Sequence, residues 1–464
     1  MTALLVPALV AAGAVAVLVI ELLYPAPRRA GTTALIALGA ALLASFFVDG
    51  GSLGDGAFVL DGTAAFFQKL VLGLAIVGVL GSLDHVAATA PRRRGEYFFL
   101  LVASVLGMVL LCGARDLLLL VLCFELMGIP LYVLATYQKQ GGASEAGLKL
   151  FLVGAASTGL SLFGLSLLVG VAGGTRLAVI AQAAPAPLLA TGLLLVVAGM
   201  AFKLGAVPFH MWVPDTYQGA ATPFVAFLST APKAAAIAAL GRVLFAAAPA
   251  LGATWTPAIV ALATATMVLG TLLAVPQTHL KRLLAYSGVA HVGFLLLGIA
   301  SGLPALGLVL FYVVAYTVTN AGVFLVAHAV AVADGVSEEL PSYAGLARRQ
   351  PWLGLALLLF LLSLAGIPFV AGFWAKLYVF LAAARAGLWP LVALGALLSV
   401  VALFAYLRVA REAYLGTPAR PGGVRVGLPL AAAIVLCLAA VVGLGLAPGA
   451  LVEAAARAAA SWPG

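Results

Sequence analysis

Apolar stretches near or above about 18 residues recur from one end of this sequence to the other, and no other feature limits its folding so severely. In hydrocarbon a helix satisfies its own backbone within a single segment, so each stretch is a candidate spanning helix. Fourteen are read, at roughly 3–23, 31–48, 63–83, 96–113, 116–137, 145–171, 187–211, 221–248, 256–275, 281–301, 303–332, 351–383, 389–413 and 427–447. With 64% hydrophobic and 8% charged residues and a mean hydropathy of +1.20, the chain is far more apolar than a water-soluble domain. It is read as an all-α polytopic membrane protein.

Charge in the connections sets the orientation. With the N-terminus outside, the inner loops and their flanks hold fourteen cations: Arg28, Arg29, Arg92, Arg93, Arg94, Lys139, Lys281, Arg282, Arg348, Arg349, Arg408, Arg411, Arg420 and Arg425. The outer ones hold four, Arg115, Arg176, Arg385 and Arg457, which is the asymmetry the positive-inside rule requires. The same dispersal explains the net charge of +9 without a basic patch, so no nucleic-acid partner is expected.

The first apolar run has neither a basic n-region nor an A-x-A-like site before a polar mature domain, and is read as a retained helix. Cys112, Cys123 and Cys437 sit in apolar runs without C-x-x-C spacing, as packing residues and not a disulfide or metal framework. No Walker A run, dinucleotide fingerprint or metalloprotease motif is present.

Six cations remain inside the spans: Lys69, Lys149, Lys203, Lys233, Arg242 and Lys376. Lys69 and Arg242 lie near helix ends, where a long side chain is expected to snorkel to the headgroups. The other four need a partner or a hydrated cavity, because a charge at bilayer depth costs a few kcal/mol. Glu125, in LLLLVLCFELMGIPLY, is the one acid in mid-span. Either these charges form a static pair that locks helices together, or they exchange protons.

The stretch AFKLGAVPFHMWVPDTYQGAATP favours the second reading. Gly205 and Pro208 interrupt span seven about one turn after Lys203, and a discontinuous helix at membrane depth is tolerated where it lines a hydrated cavity. In LSLAGIPFVAGFWAKLYVF the device recurs: Gly366, Pro368 and Gly372 break span twelve, and Lys376 follows. The breaks are 160 residues apart, Pro208 to Pro368. The spans run in opposite directions, the signature of an inverted repeat of two five-helix units, spans 4–8 against 9–13. The expected organisation is an N-terminal three-helix segment (1–95), a first repeat (96–248), a second repeat (256–415) and a C-terminal helix and tail (427–464).

FELMGIPLYVLA, EAGLKLFLVGAASTGLSLFG, FKLGAVPFHMWVPDTYQGAATPFVAFLSTAPKAA, KRLLAYSGVAHVGF and LAGIPFVAGFWAKLYVFLAA follow one another in this order. Over roughly 300 residues they resemble the antiporter-like membrane subunits of respiratory complex I, the proton-pumping NADH:quinone oxidoreductase. The phrase at Asp215–Pro223 and the lysine at 376 are most similar to the N-type subunits, counterparts of mitochondrial NADH dehydrogenase subunit 2. An M-type subunit would carry a glutamate at 376, and an L-type subunit would continue into a long lateral helix.

The resemblance implies a relay in which Glu125 pairs with Lys203, Lys149 modulates them, Lys233 continues the path on span eight and Lys376 ends it. His291, about 15 Å along its helix from Lys281, falls near mid-membrane in the link between two half-channels. It is alternatively a hydrogen-bonded core histidine. His328, with Tyr316 on the same span, is a weaker candidate, and His210 and Asp215 are expected to orient or cap the broken helix. No cofactor is expected on this chain; flavin, iron–sulfur clusters and quinone belong to other subunits. The implied neighbours are K-type and M-type subunits, the lateral helix of an L-type subunit and the lipid of a bacterial inner membrane. A sodium/proton antiporter of the Mrp type, a membrane-bound hydrogenase subunit and an inert scaffold are the alternatives. At an effective dielectric of about 20 and a separation of about 8 Å, a Glu–Lys pair is worth roughly 2 kcal/mol, against about 2.3 kcal/mol to move one proton across 100 mV.

Overall fold

The computed structural model describes residues 2–48, 50–90, 92–138, 141–335, 338–418 and 422–462. Two of the inner-loop cations, Lys139 and Arg420, lie outside the described residues. Three helices come first, α1 (Leu5–Leu23), α2 (Arg29–Ala44) and α3 (Gly62–Thr89), with a small antiparallel hairpin, β1 (Gly51–Leu53) and β2 (Phe58–Leu60), between α2 and α3. The first repeat contains α4 (Arg94–Gly113), α5 (Leu117–Ala135), α6 (Gly141–Ala172), the short α7 (Leu177–Ala181), α8 (Pro187–Leu204), α9 (Trp212–Gly219), α10 (Thr222–Leu228) and α11 (Ala231–Gly241). The second contains α12 (Gly252–Ala274), α13 (Leu280–Ala300), α14 (Leu306–Asp334), the short α15 (Leu346–Arg349), α16 (Pro351–Ala365), α17 (Ala371–Arg385) and α18 (Trp389–Leu415). Then follow α19 (Leu428–Leu446) and an amphipathic helix, α20 (Gly449–Ala460).

Among the described residues, twelve helical segments are long and apolar enough to cross a membrane. With the shorter α2 and the broken α16–α17 pair they give the fourteen crossings read from the sequence. The bundle is strongly graded. The α10–α11 span is wholly buried, whereas only 28% of the most apolar stretch of α6 is buried. Helices α13 and α14 share the buried centre, and α6 and α18 lie at the rim. Of the charged residues inside the spans, Lys233, Arg242 and Lys376 are buried, whereas Lys149 keeps 44% of its side chain accessible.

Both predicted breaks are present and share one geometry. Gly205 (φ 75°) and Gly366 (φ 85°) are left-handed C-terminal residues, a conformation that favours glycine. The N–H of Gly205 donates to Phe202 O and that of Ala206 to Ala201 O; Gly366 and Ile367 repeat this with Ser363 and Leu362. Other backbone groups freed at the breaks find partners within the protein. Val207 N–H donates to Thr266 Oγ1 (3.1 Å) and Trp212 Nε1 to Phe202 O (3.1 Å). At the second break Gly372 N–H donates to Ser363 Oγ (3.1 Å). In a medium without water this is what makes a broken helix tolerable.

A third interruption corrects the continuous span eight expected over 221–248. Helix α10 stops at Leu228, and α11 restarts after Thr230 with Pro232 in its first turn. Ser-Thr before Ala-Pro is a helix-start signal embedded in an apolar run. The same span ends in a π-helical turn, Arg242–Ala247.

Arg242 also departs from expectation. It does not snorkel but is 1% exposed, its guanidinium bidentate to Asp61 (2.9 and 3.0 Å) and its Nε donating to Cys112 O (2.7 Å). Asp61 caps α3 through Ala64 N–H and accepts from Arg115 as well (2.8 Å). This clamp ties the N-terminal helices to span eight. Burial alone would raise the pKa of Asp61, but the two arginines outweigh it and hold the carboxyl below its ordinary 3.8.

Asp61→Ala would strand a buried cation, at an expected cost of about 3–5 kcal/mol, and adding Arg242→Leu should recover part of it. Heating the detergent-solubilised protein with a thiol-reactive dye reads the exposure of the three buried cysteines; an unchanged midpoint for Asp61→Ala would show that the clamp holds nothing. Because the folded pKa is depressed, the clamp contributes fully above 3.8 and is lost as pH falls through the lower folded value. The same assay should give a midpoint that is flat near neutrality and declines only in acid.

Candidate functional site

Glu125 and Tyr132 lie two turns apart on one face of α5, and Lys203, on the last turn of α8, reaches across to both. Its Nζ donates to Tyr132 Oη (2.8 Å) and lies 3.7 Å from Glu125 Oε1. From α6, Thr158 Oγ1 donates to the same carboxylate oxygen (2.7 Å). Gly128 makes the crossing possible, since a Cβ there would stand 2.8 Å from Lys203 Nζ. A small cavity of about 20 Å³ adjoins the pair, with Ser157, Thr158 and Ser161 among its lining residues. Lys203 thus holds one firm neutral hydrogen bond and one looser ionic contact.

Lys149 is placed elsewhere. It lies nine residues before Thr158 on α6, about 13 Å along the helix, and pairs with Glu145 (2.8 Å) and Asp215 (2.8 Å). Arg282 bonds the other Asp215 oxygen (2.8 Å). Burial would raise the pKa of Asp215, but the bonds from Lys149 and Arg282 prevail and leave it lowered. Lys149, Glu145 and Asp215 line a polar cleft of about 350 Å³. His210, beside the break, keeps a buried Nδ1 without a partner.

The second cluster is built on the buried helices. Lys233 follows directly on the interruption of span eight, its Nζ 3.4 Å from Tyr316 Oη and 3.5 Å from Gly288 O, both long contacts. His291 shares a hydrogen bond with Tyr312 (Nδ1 to Oη, 2.9 Å) and stacks on Tyr316 with ring centroids 5.0 Å apart. Lys376 Nζ donates to Ala365 O (2.8 Å), the terminal carbonyl of the broken α16. Thr319 and Ser363, joined at 2.9 Å, share with His291 a cavity of about 10 Å³. Among the described residues neither Lys233 nor Lys376 has a carboxylate within ion-pair distance.

Lys233, His291 and Lys376 are brought together, and Glu125 with Lys203 forms a separate group. Between them runs a ladder of rings: Lys203 lies over Phe202, Phe202 against Trp212 (5.5 Å), Trp212 against Tyr217 (6.3 Å), and Lys233 over Tyr217 (5.7 Å). Sequence reading missed Tyr132, Thr158 and Tyr312. The signal for Tyr132 was its seven-residue spacing from Glu125; a hydroxyl on α6 carried none. Lys281, taken for an inner-loop cation, is buried and paired with Glu338 (3.1 Å).

Residues 114–402 match the family described as NADH:quinone oxidoreductase/Mrp antiporter, TM. A relative from Moorella thermoacetica, NADH-quinone oxidoreductase subunit N, is 42% identical over 454 residues, covering 95% of each chain. A chain of respiratory complex I from Thermus thermophilus superposes with a TM-score of 0.86 at 33% identity, over 98% of this chain and 100% of that one. A chain of the Mrp complex from Dietzia sp. DQ12-45-1b gives a TM-score of 0.91 at 24% identity, over 99% and 97%, a likeness of fold. The chain belongs to the antiporter-like membrane subunits of the NADH:quinone oxidoreductases and is most like subunit N.

Proposed function

We propose that this chain is a proton-translocating membrane subunit of an NADH:quinone oxidoreductase, moving protons through Glu125, Lys203, Lys233, His291 and Lys376 while electrons pass through other subunits. The observation that carries the reading is Lys203, buried between a carboxylate it barely touches and a phenol it bonds. The proton affinity of a buried lysine follows its distance from a carboxylate. At 3.7 Å and an effective dielectric of about 20 the Coulomb attraction is about 4 kcal/mol, and at about 8 Å roughly 2 kcal/mol. The difference matches the about 2.3 kcal/mol needed per proton against 100 mV. A displacement of a few ångströms is therefore enough to load or unload the site.

In this reading Lys233 and Lys376, which lack a carboxylate, receive and pass on the proton, and His291 with its tyrosines joins them. Lys149 tunes the first pair at long range through the Asp215 cluster. Flavin, iron–sulfur clusters and quinone are held by other chains, so this chain has no redox centre of its own. Its neighbours are K-type and M-type subunits and the lateral helix of an L-type subunit, in a bacterial inner membrane. The Mrp-type antiporter reading rests on fold alone. It would be recovered if the chain exchanged sodium for protons without quinone reduction.

The assembled complex, reconstituted in vesicles, should lose both proton uptake and quinone reduction on Lys203→Ala, since a coupled machine stalls when its pump cannot cycle. Lys203→Arg should fail as fully, because a guanidinium keeps its proton. An assembled Lys203→Arg complex that pumps normally would return Lys203 to a static pair. Glu125→Gln should impair less than Lys203→Ala, and Glu125→Asp should be mild. Tyr132→Phe removes only the hydroxyl that holds Lys203, so pumping should slow while assembly, read by native gel, is kept; unaltered pumping would show the hydroxyl to be dispensable.

A further inference from the structure

Outside the relay, titratable and unpaired polar groups gather between Lys233 and the inner face. His85, near the inner end of α3, and Gln138, after α5, are both partly exposed there. Gln138 Nε2 and His85 Nε2 lie 2.9 Å apart, and the His85 ring meets His328 of α14 edge-on, with centroids at 5.0 Å. His328 is 5% exposed. The charged groups acting on the pair are Lys281, which acts on both rings, and Glu338, which acts on His85; the two are paired with each other at 3.1 Å. Among the described residues neither imidazole has a carboxylate partner of its own.

From His328 one face of α14 leads inward through Phe324 and Asn320 to Tyr316, each one turn from the next, about 18 Å in all. The apolar step at Phe324 is covered by Tyr217, whose ring lies 5.7 Å away. Tyr217 and Asn320 are both fully buried, yet Tyr217 Oη and Asn320 Oδ1 have no partner. Buried polar atoms are normally paired with protein or ordered water, so two orphans along one line mark a place for water. At the inner end of the line Asn320 Nδ2 donates to Ser229 Oγ (2.8 Å) at the interruption of span eight, Tyr316 Oη stands 3.4 Å from Lys233 Nζ, and Lys233 lies over the Tyr217 ring.

We infer that protons enter this chain at the His85–His328 pair, built jointly by the N-terminal three-helix segment and the second repeat, and reach Lys233 by way of Tyr217 and Asn320. The inference rests on the proton-translocating reading. A proton from the inner aqueous phase binds one imidazole, and the other ring nitrogen releases one onward, so atoms and charge balance at each transfer. Phe324 denies the path a continuous chain of side chains, which makes the Tyr217 hydroxyl the step that decides passage.

The test uses the assembled complex in vesicles with the inner face outward, comparing His328→Phe, which keeps a ring in place, Tyr217→Phe, which removes one orphan hydroxyl, and His85→Gln on the rim. Both phenylalanine variants should slow redox-coupled proton uptake several-fold, with a larger solvent isotope effect. His85→Gln should slow it less, and imidazole added outside should restore the rate of His328→Ala, which leaves room for it, but not that of His328→Phe, Tyr217→Phe or Lys203→Arg. Wild-type uptake in all three variants, with Lys203→Arg still blocked, would overturn the entry path and leave the function standing. Wild-type uptake in Lys203→Arg as well would remove the function itself.

Discussion

An ammonium group in the hydrocarbon layer has to be met by something polar, and nearly every irregularity of this fold is placed where one is met. Lys376 is held by the carbonyl that α16 leaves free at its break. Lys233 begins the helix that restarts after Thr230 and points at the Gly288 carbonyl and the Tyr316 hydroxyl. Lys203 sits two residues before the glycine that ends α8. Breaking a helix costs backbone hydrogen bonds, but it provides oriented carbonyls in a region where water cannot supply them. Buried lysines and broken helices are two sides of one solution.

The two repeats use that solution unequally. In the first, the lysine lies ahead of the break and answers to a carboxylate; in the second it lies beyond the break and answers to backbone and aromatic faces. A group with a nearby acid can be switched by moving the acid, whereas one held by a fixed carbonyl has a steadier proton affinity. In the proposed relay the asymmetry gives a row with an adjustable end and a stationary end.

Much of this was legible in the sequence because the signals were local. Gly205 with Pro208 and Gly366 with Pro368 announced two breaks, and an acid inside an unbroken apolar run could only be functional or paired. What was hidden depended on distant partners. Lys281 looked like a loop cation because its pairing with Glu338 joins segments 57 residues apart in sequence. Arg242 stands close to a helix end, as a snorkelling residue would, and only the position of Asp61, across three elements, draws it inward. The restart at Ser229–Pro232 was masked by the apolar residues around it. Tyr132, by contrast, obeyed helix periodicity and could have been found by projecting α5 onto a wheel.

Helix α6 is among the least buried in the molecule, yet it supplies the hydroxyl that binds Glu125 and one wall of the adjoining cavity. Glu125 itself keeps 28% of its side chain accessible. The carboxylate side chain is therefore not sealed from whatever packs on the outside of the bundle there. The electrostatic environment of the first pair is consequently a property of the assembly. A neighbour that shifts or exchanges a side chain against α6 can retune Glu125 without disturbing one residue of this chain's core.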